Sequence, residues 1–231
     1  MIGILSDAHG NAPAFDQAVR LLKKIGVERF VFLGDAVGYI PLRDVIKSLQ
    51  KLDLKIQCVR GNHENMLLQG ICDAEREDVY KLSVVRSTLE REELDFLQKW
   101  PTHHVETVVG KRLLFVHGSP SDYINGYMYI DTDLSMFDES SDFVFIGHSH
   151  HPFVRHHGRV CYVNVGSCGM PRDDGRFGAA ATFDPESGLV RIVRFDITEA
   201  TRKALWNASG VHASVKAIFA RRKTSVYGDF L

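Results

Sequence analysis

The sequence predicts an α/β fold: a two-sheet β-sandwich flanked by helices, with its four layers in the order αββα. Strand-like and helix-like segments alternate over the first 60 residues, and closely spaced strand-like segments separated by Gly, Asp and Pro follow residue 150. The alternating part requires parallel strands with right-handed crossovers, whereas the later part favours antiparallel pairing. Because each sheet must bury an apolar face, we expect the two sheets to pack together with helices outside.

The first 150 residues contain five short runs rich in Val, Ile, Leu and Phe, which predict buried strands. A helix is expected after the first run, since Asn11 can cap it, Pro13 suits its first turn and Gly26 can end it. A second amphipathic helix is expected to open at Pro41. The five predicted strands are Ile2–Ser6, Arg29–Leu33, Lys55–Arg60, Arg112–Val116 and Asp142–Ile146.

The rest of the chain is expected to complete the layers. Residues 65–100 are charged and helical in pattern, and we expect them to cover the first sheet. A helical C-terminal tail is expected over residues 198–231, and its basic Arg221-Arg222-Lys223 is interpreted as a solvated end in preference to a phosphate-binding or oligomer-forming element. Four later strands, expected to be antiparallel and to form the second sheet, are Phe153–His156, Val160–Val165, Ala179–Phe183 and Leu189–Phe195.

Composition limits the classes of function. With 231 residues and no linker-like stretch, the chain is expected to form one domain over residues 1–231. A formal net charge of −1 argues against a general nucleic-acid or membrane surface. The N-terminal sequence enters a strand directly and no long apolar segment follows, which predicts a cytoplasmic protein. The four cysteines form no Cys-x-x-Cys pair, so reduced thiols are expected.

Polar clusters follow the five predicted strands of the first 150 residues, at the point where each strand ends. In open α/β sheets the carboxyl ends of the strands form the ligand-binding edge, so we expect these five clusters to meet at one point. The clusters are Asp7-Ala8-His9, Gly34-Asp35, Gly61-Asn62-His63-Glu64, His117-Gly118 and Gly147-His148-Ser149-His150.

The clusters contain the ligands that a two-metal hydrolytic site requires. Two divalent ions can generate a bridging hydroxide from water at neutral pH and clamp a phosphoryl group during in-line displacement. A mixture of carboxylate, amide and imidazole ligands suits transition metals better than calcium, and we expect manganese first, with iron, zinc, cobalt or nickel as alternatives. The seven candidate ligands are Asp7, His9, Asp35, Asn62, His117, His148 and His150.

Taken together, the five motifs resemble the full motif set of the calcineurin-like metallophosphoesterases over about residues 1 to 170. That resemblance implies the two-sheet fold expected above. It also implies that the first metal is held by Asp7, His9, Asp35 and His150, and the second by Asp35 as a bridge with Asn62, His117 and His148. His63 is left without a metal, and we expect it to be the catalytic residue that protonates the departing oxygen or hydrogen-bonds its developing charge.

Two further positions are of interest around this motif set. Glu64 has two open interpretations, a hydrogen bond to a ligand histidine or exposure to solvent. The stretch from Asn164 to Asp173 resembles the Asn-Pro-Gly-Ser and Pro-Arg-Asp sequence of the small prokaryotic phosphodiesterase branch, with Val165 where that branch usually has proline. Within it, Arg172 is a candidate for binding a substrate phosphate as a two-pronged hydrogen-bond donor.

The leading hypothesis is a metal-dependent phosphodiesterase that acts on a small phosphate-ester substrate, with a metal-bridging hydroxide as nucleophile and His63 assisting the leaving group. A phosphomonoesterase at the same site is the near alternative, and a non-catalytic protein-binding scaffold of the same fold is the alternative from another class. A nuclease acting on long nucleic acid is disfavoured, because Arg221-Arg222-Lys223 is the one basic cluster available. The sequence leaves a homo-oligomer open.

Overall fold

The strands of the protein form two sheets in a computed structural model that describes residues 1–137 and 139–231. The six-stranded sheet has the order β11-β10-β9-β1-β2-β3, and the five-stranded sheet has the order β4-β5-β6-β8-β7. The strands are β1 (Ile2–Leu5), β2 (Arg29–Phe32), β3 (Ile56–Cys58), β4 (His103–Val108), β5 (Lys111–Val116), β6 (Phe143–Ile146), β7 (Phe153–His157), β8 (Val160–Asn164), β9 (Phe177–Asp184), β10 (Leu189–Asp196) and β11 (Asp229–Phe230).

Most of the helices connect or cover the six-stranded sheet. The first begins as predicted, because the Asn11 side chain accepts a hydrogen bond from the backbone N–H of Ala14 and a proline lies in the first turn. The second begins later than expected from Pro41. The helices are α1 (Ala12–Lys24), α2 (Asp44–Gln50), α3 (Asn62–Gln69), α4 (Ala74–Tyr80), α5 (Leu82–Thr88), α6 (Arg91–Gln98), α7 (Thr198–Asn207) and α8 (Ala213–Phe219).

The core between the sheets confirms the predicted sandwich. Ile4 and Val31 of the six-stranded sheet pack in one buried cluster with Phe115 and Phe145 of the five-stranded sheet. A second cluster fills the space between the six-stranded sheet and helices such as α1. The outer face of the five-stranded sheet is covered differently, by Met128, Leu134 and neighbouring residues of an irregular segment that contains one short 3₁₀ turn.

The distribution of strands between the sheets differs from the prediction. The expectation that the strands after residue 150 form the second sheet by themselves is wrong: β9 and β10 extend the six-stranded sheet, where β9 pairs antiparallel with β1. Conversely, β5 and β6 join β7 and β8 in the other sheet. The strand β4 was not predicted, and neither was β11, which lies in the segment expected to be helical. Parallel pairing of β1 with β2 and of β2 with β3 agrees with the crossover argument.

Two other features concern the apolar length of the helices and the cysteines. No helix within residues 1–137 and 139–231 is both long and apolar enough to cross a membrane. All four cysteines are free thiols, and Cys58, Cys161 and Cys168 are buried. Burial raises the pKa of the Cys161 thiol to about 11, and the pKa values of Cys58 and Cys168 are also raised by burial, so these thiols are inert at neutral pH.

Candidate metal centre

The loops after β1, β2, β3, β5 and β6 converge at one end of the sandwich. Three of these strands belong to the six-stranded sheet and two to the five-stranded sheet, so the centre lies where the two sheets meet. All but one of the seven predicted ligands are buried, the exception being the partly buried Asn62. The fold therefore brings together side chains that are up to 143 residues apart in the sequence.

The first group of candidate ligands consists of Asp7, His9 and His150. Their ligand atoms all lie within 4.8 Å of one another. The Asp7 Oδ1 atom lies 3.2 Å from His150 Nε2 and 3.7 Å from His9 Nε2. Its other oxygen accepts a hydrogen bond of 3.1 Å from the backbone N–H of His148. One carboxylate oxygen is thus fixed by the backbone, while the other faces the two imidazoles.

The second group consists of Asp35, His117 and His148, with Asn62 beside them. His117 Nε2 lies 3.0 Å from both Asn62 Oδ1 and His148 Nδ1, and 3.4 Å from Asp35 Oδ2. The same Asp35 oxygen lies 3.6 Å from His9 Nε2 in the first group. Asp35 therefore stands between the two groups, within reach of both.

The donor set fits divalent transition metals. His9, His117 and His150 each direct Nδ1–H at a backbone carbonyl, that of Val37, Leu33 and Met170 respectively. In the neutral ring, this leaves the Nε2 lone pair directed into the centre.

The lone pairs need a positive charge between them. The Nε2 atoms of His9 and His150 face each other at 3.2 Å, and the inward oxygen of Asp7 has no hydrogen-bond partner among the described residues. Facing acceptors in a buried site repel unless a proton or a cation lies between them. The arrangement therefore favours bound cations.

Electrostatics within the centre support this fit. Burial lowers the pKa of His148 to about 3 and that of His150 to about 4, so both rings are neutral and can offer lone pairs at neutral pH. At His117 burial also disfavours the charged ring, but the carboxylate of Asp35 outweighs it and raises the pKa to about 9. Without a cation, His117 therefore carries a proton on Nε2 at neutral pH, and a bound cation would have to replace this proton. Although burial opposes ionisation of Asp35, the surrounding histidines keep the pKa of its carboxyl well below the usual range. The centre is therefore a buried negative site that attracts positive charge.

The backbone at the centre is strained. Positive φ angles occur at Asp7 (57°), His9 (48°), Asp35 (59°), His148 (62°) and His150 (60°), all of them candidate ligands. A non-glycine residue in this region costs on the order of 1–3 kcal/mol and persists where the surrounding structure enforces it. Five such residues in one site indicate that ligand placement, rather than local stability, determines these loops.

Gly34 and Gly61 permit the close approach of the loops after β2 and β3. Gly34 has φ +98°, which disfavours other residues, and a Cβ there would collide with the backbone of Gly61. A Cβ on Gly61 would in turn collide with the carboxylate of Asp35. Glycine at both positions allows Asp35 to lie directly against the start of α3.

Glu64 fits neither of its two open interpretations. It is fully buried, and its carboxylate accepts hydrogen bonds from the backbone N–H groups of Asp35 at 2.8 Å, Ala36 at 2.7 Å and Gly61 at 3.0 Å. Burial and the neighbouring Asp35 raise its pKa to about 7. Glu64 thus ties the loop that carries Asp35 to the amino terminus of α3.

The Asn164–Ser167 stretch braces the loops from the opposite side. Asn164 Nδ2 donates to the Gly147 carbonyl, and Ser167 Oγ donates to the Asp7 carbonyl. The backbone N–H of Val165 donates to the Ile146 carbonyl at 2.9 Å. Proline could not make this last hydrogen bond, which gives a physical reason for valine at a position where the related branch usually has proline.

His63 lies buried beside Asp35. Its backbone N–H donates to Asp35 Oδ1 at 3.0 Å, and its Nε2 lies 3.9 Å from Asp35 Oδ2. The ring packs edge-on against His9 and lies against Tyr39 and Tyr80. Burial lowers its pKa well below the ordinary value. His9, Asp35 and His63 also form a third group, whose ligand atoms lie within 4.8 Å of one another. The position of His63 alone therefore does not distinguish a leaving-group donor from a metal ligand.

Arg172 lines the same cleft as the candidate ligands. Its Nη2 donates to the Tyr39 hydroxyl at 2.9 Å, and its buried Nε has no partner among the described residues. Three tyrosines, Tyr39, Tyr80 and Tyr127, line the cleft as well. The sequence did not point to Tyr80 or Tyr127, which come from a short helix and an irregular segment. Tyr39 lies four residues after Asp35, in a stretch, Val37-Gly38-Tyr39, that resembles the small prokaryotic phosphodiesterase branch.

Comparison with known proteins identifies the family. The model of the calcineurin-like phosphoesterase superfamily domain matches residues 1–188. The chain belongs to the calcineurin-like phosphoesterase superfamily. This membership indicates a hydrolase of phosphate esters, with the clustered Asp and His residues as a candidate metal site.

Related proteins cover most of the chain. The uncharacterized protein MJ0912 of Methanocaldococcus jannaschii is 29% identical over 231 residues, covering 90% of this chain and 93% of that protein. Phosphodiesterase YfcE of Escherichia coli is 25% identical over 177 residues, covering 72% of this chain and 78% of that protein.

Solved structures share the fold. A metallophosphoesterase from Sphaerobacter thermophilus superimposes with a TM-score of 0.75 at 25% identity, covering 95% of this chain and 97% of that one. The hypothetical protein PH1004 from Pyrococcus horikoshii OT3 superimposes with a TM-score of 0.81 at 18% identity, covering 95% of this chain and 98% of that one. These structures confirm the two-sheet fold with flanking helices.

Proposed function

We propose that this phosphoesterase is a dinuclear metal-dependent phosphodiesterase that hydrolyses a small phosphodiester. The observation that carries the proposal is the position of Asp35 Oδ2, which lies 3.6 Å from His9 Nε2 in one ligand group and 3.4 Å from His117 Nε2 in the other. A carboxylate in this position can be shared by two cations, and shared cations are the basis of two-metal phosphoester hydrolysis.

The candidate ligands divide into two sites that share one residue. Asp7, His9, Asp35 and His150 would hold the first cation, and Asp35, Asn62, His117 and His148 the second. When bound, the cations would lower the pKa of water and offset negative charge on the phosphoryl group. The imidazole-rich set favours manganese, with iron, zinc, cobalt or nickel as alternatives.

Protein side chains would supply the remaining functions. His63 Nε2 lies 3.9 Å from the shared Asp35 oxygen. From this position the ring can donate a hydrogen bond or proton to the departing ester oxygen. Arg172 lines the cleft, its Nε–H has no partner within residues 1–137 and 139–231, and it can bind a phosphoryl oxygen. The hydrogen bond from Arg172 to Tyr39 holds the guanidinium in that position.

A small substrate agrees with the electrostatics. A formal net charge of −1 does not provide the basic track that a long nucleic-acid backbone needs. The related YfcE is named a phosphodiesterase, which favours a diester over a monoester. We further propose that residues 1–231 act as a single domain; cytoplasmic location stays a prediction.

Metal analysis combined with two chromogenic esters tests the proposal. The purified protein, loaded with Mn²⁺ and freed of excess metal, is expected to retain two metal ions per chain and to hydrolyse bis(p-nitrophenyl) phosphate faster than p-nitrophenyl phosphate. A reversed preference would establish the monoesterase alternative. Metal-free, inactive protein after Mn²⁺ loading would contradict the proposal and favour the scaffold alternative.

A further inference from the structure

A second cavity adjoins the metal centre. It has a volume of about 470 Å³, within the range of pockets that hold small organic molecules. By contrast, the cleft at the candidate ligands has a free volume of about 10 Å³, close to the space that one water occupies. A cleft of this volume has no room for the organic part of a phosphate ester, which must lie outside it.

Residues that are neighbours in the sequence line the two cavities. His150 lines the cleft, and the next residue, His151, lines the second cavity. In the same way, Arg172 lines the cleft and Asp173 lines the second cavity. Tyr127 lines the cleft and Tyr129 the second cavity. Since consecutive Cα atoms are about 3.8 Å apart, the two linings come close to each other at these residues.

A row of aromatic rings connects the cleft to the second cavity. The Tyr127 ring lies 4.0 Å from the His148 ring, measured between centroids, and 5.9 Å from the Tyr129 ring. Tyr129 in turn lies 6.1 Å from the ring of His151. The planes of Tyr127 and Tyr129 differ by only 4°, so the two rings are parallel.

These tyrosines are available to a ligand. Tyr127 is 50% exposed and Tyr129 is 40% exposed, although both are large and partly apolar. Exposed aromatic side chains at the rim of a cavity are typical of binding surfaces, where planar rings stack on them. The rest of the cavity adds polar groups, including Asp131, Ser225 and Lys223.

We propose that the second cavity binds the nucleoside part of a nucleotide phosphoester whose phosphoryl group lies at the metal centre. A planar base can cover the flat face of Tyr129, whereas the polar lining can hydrogen-bond the base edge or the sugar hydroxyls. Asp131, Ser225 and Lys223 are exposed polar groups of the lining, which a nucleoside can hydrogen-bond and an alkyl or lipid chain cannot. The inference rests on the proposed phosphodiesterase function for the place of the phosphoryl group and names the substrate class.

Binding of thymidine without metal tests the cavity independently of catalysis. Calorimetric titration of the EDTA-treated protein with thymidine is expected to show binding that Tyr129→Ala weakens by roughly tenfold, and that Tyr129→Phe retains because it keeps the ring. Trp206→Ala removes another exposed aromatic ring, 84% exposed and outside both cavities, and should bind as the wild type does. Absence of binding, or equal binding by Tyr129→Ala, would overturn the inference.

Hydrolysis of two matched diesters tests the same cavity in the Mn²⁺-loaded protein. The p-nitrophenyl ester of thymidine monophosphate and methyl p-nitrophenyl phosphate share a leaving group and differ in the other ester arm. We expect a preference of roughly tenfold in kcat/KM for the thymidine ester, which Tyr129→Ala abolishes by slowing that ester alone. Equal rates on both esters would overturn the inference and leave the phosphodiesterase proposal standing, whereas thymidine binding without hydrolysis of either ester would contradict the phosphodiesterase proposal.

Discussion

The loops that carry the candidate metal ligands and the segment that carries Tyr127 and Tyr129 differ in how they are held. The ligand loops are buried and strained, and Glu64, Asn164 and Ser167 hydrogen-bond them. The tyrosine segment is half exposed and belongs to an irregular part of the chain. The difference matches the proposed division of work, in which rigid strand ends would hold the reacting groups and a surface segment would bind the organic part of the substrate.

Changing the shared carboxylate should have the largest effect. Asp35→Asn removes the negative charge that lies between the two ligand groups, and we expect loss of bound metal and a fall in kcat/KM of roughly a thousandfold, about 4 kcal/mol. Elemental analysis and diester kinetics measure both effects, with circular dichroism to confirm folding. Retention of two metals per chain by this variant would show that Asp35 does not bridge them.

Replacement of His63 should separate catalysis from metal binding. His63→Asn is expected to keep both metals and to lower kcat by about a hundredfold for a diester with an alkyl leaving group, which needs a proton to depart. The loss should be much smaller for a p-nitrophenyl leaving group, which departs readily as an anion.

Metal content provides the control for the His63 experiment. Loss of one metal ion from His63→Asn would instead establish the group of His9, Asp35 and His63 as a ligand set. Equal losses on both leaving groups would contradict a role in protonation and leave a positioning role for the ring.

Replacement of Glu64 tests the rigidity of the ligand loops. Glu64→Gln puts an amide group against four backbone N–H donors, two on each carboxylate oxygen, so two of them must lose their acceptor. We expect metal affinity to fall by about 10–100-fold and the free energy of unfolding to fall by about 1–3 kcal/mol. Competition with a chelating dye and urea denaturation measure the two quantities. Glu186→Gln, on a surface turn, is the matched control and should change neither.

The strand ends were predictable from the sequence because the signals are local. An apolar run followed by Asp, Asn or His marks both a buried strand and its polar exit, so the positions of Asp7 and Asp35 followed without knowledge of the sheets. The placement of β9 beside β1 was not predictable in this way. It depends on pairing between residues almost 180 positions apart, which no local pattern specifies.

Other features were missed for equally physical reasons. The strand β4 is a partly buried edge strand with two histidines and a glutamate, so it lacks the apolar run that predicts a central strand. The cleft is also lined by Tyr80 and Tyr127, which come from separate segments and do not follow a predicted strand. The role of Glu64 was ambiguous because carboxylates are seldom buried unless they are paired, and the sequence does not show the partners. Here the partners are backbone N–H groups contributed by the loop after β2.

The smallest expected effect concerns the brace after β8, where Val165 donates its backbone N–H to Ile146. Val165→Pro removes that donor and leaves a buried carbonyl without its partner, so we expect the free energy of unfolding to fall by about 1–3 kcal/mol in urea denaturation, with two metals still bound. Val165→Ala keeps the N–H and removes two buried methyl groups, which separates the hydrogen bond from packing. A proline variant as stable as the wild type would show that this hydrogen bond does not support the ligand loops.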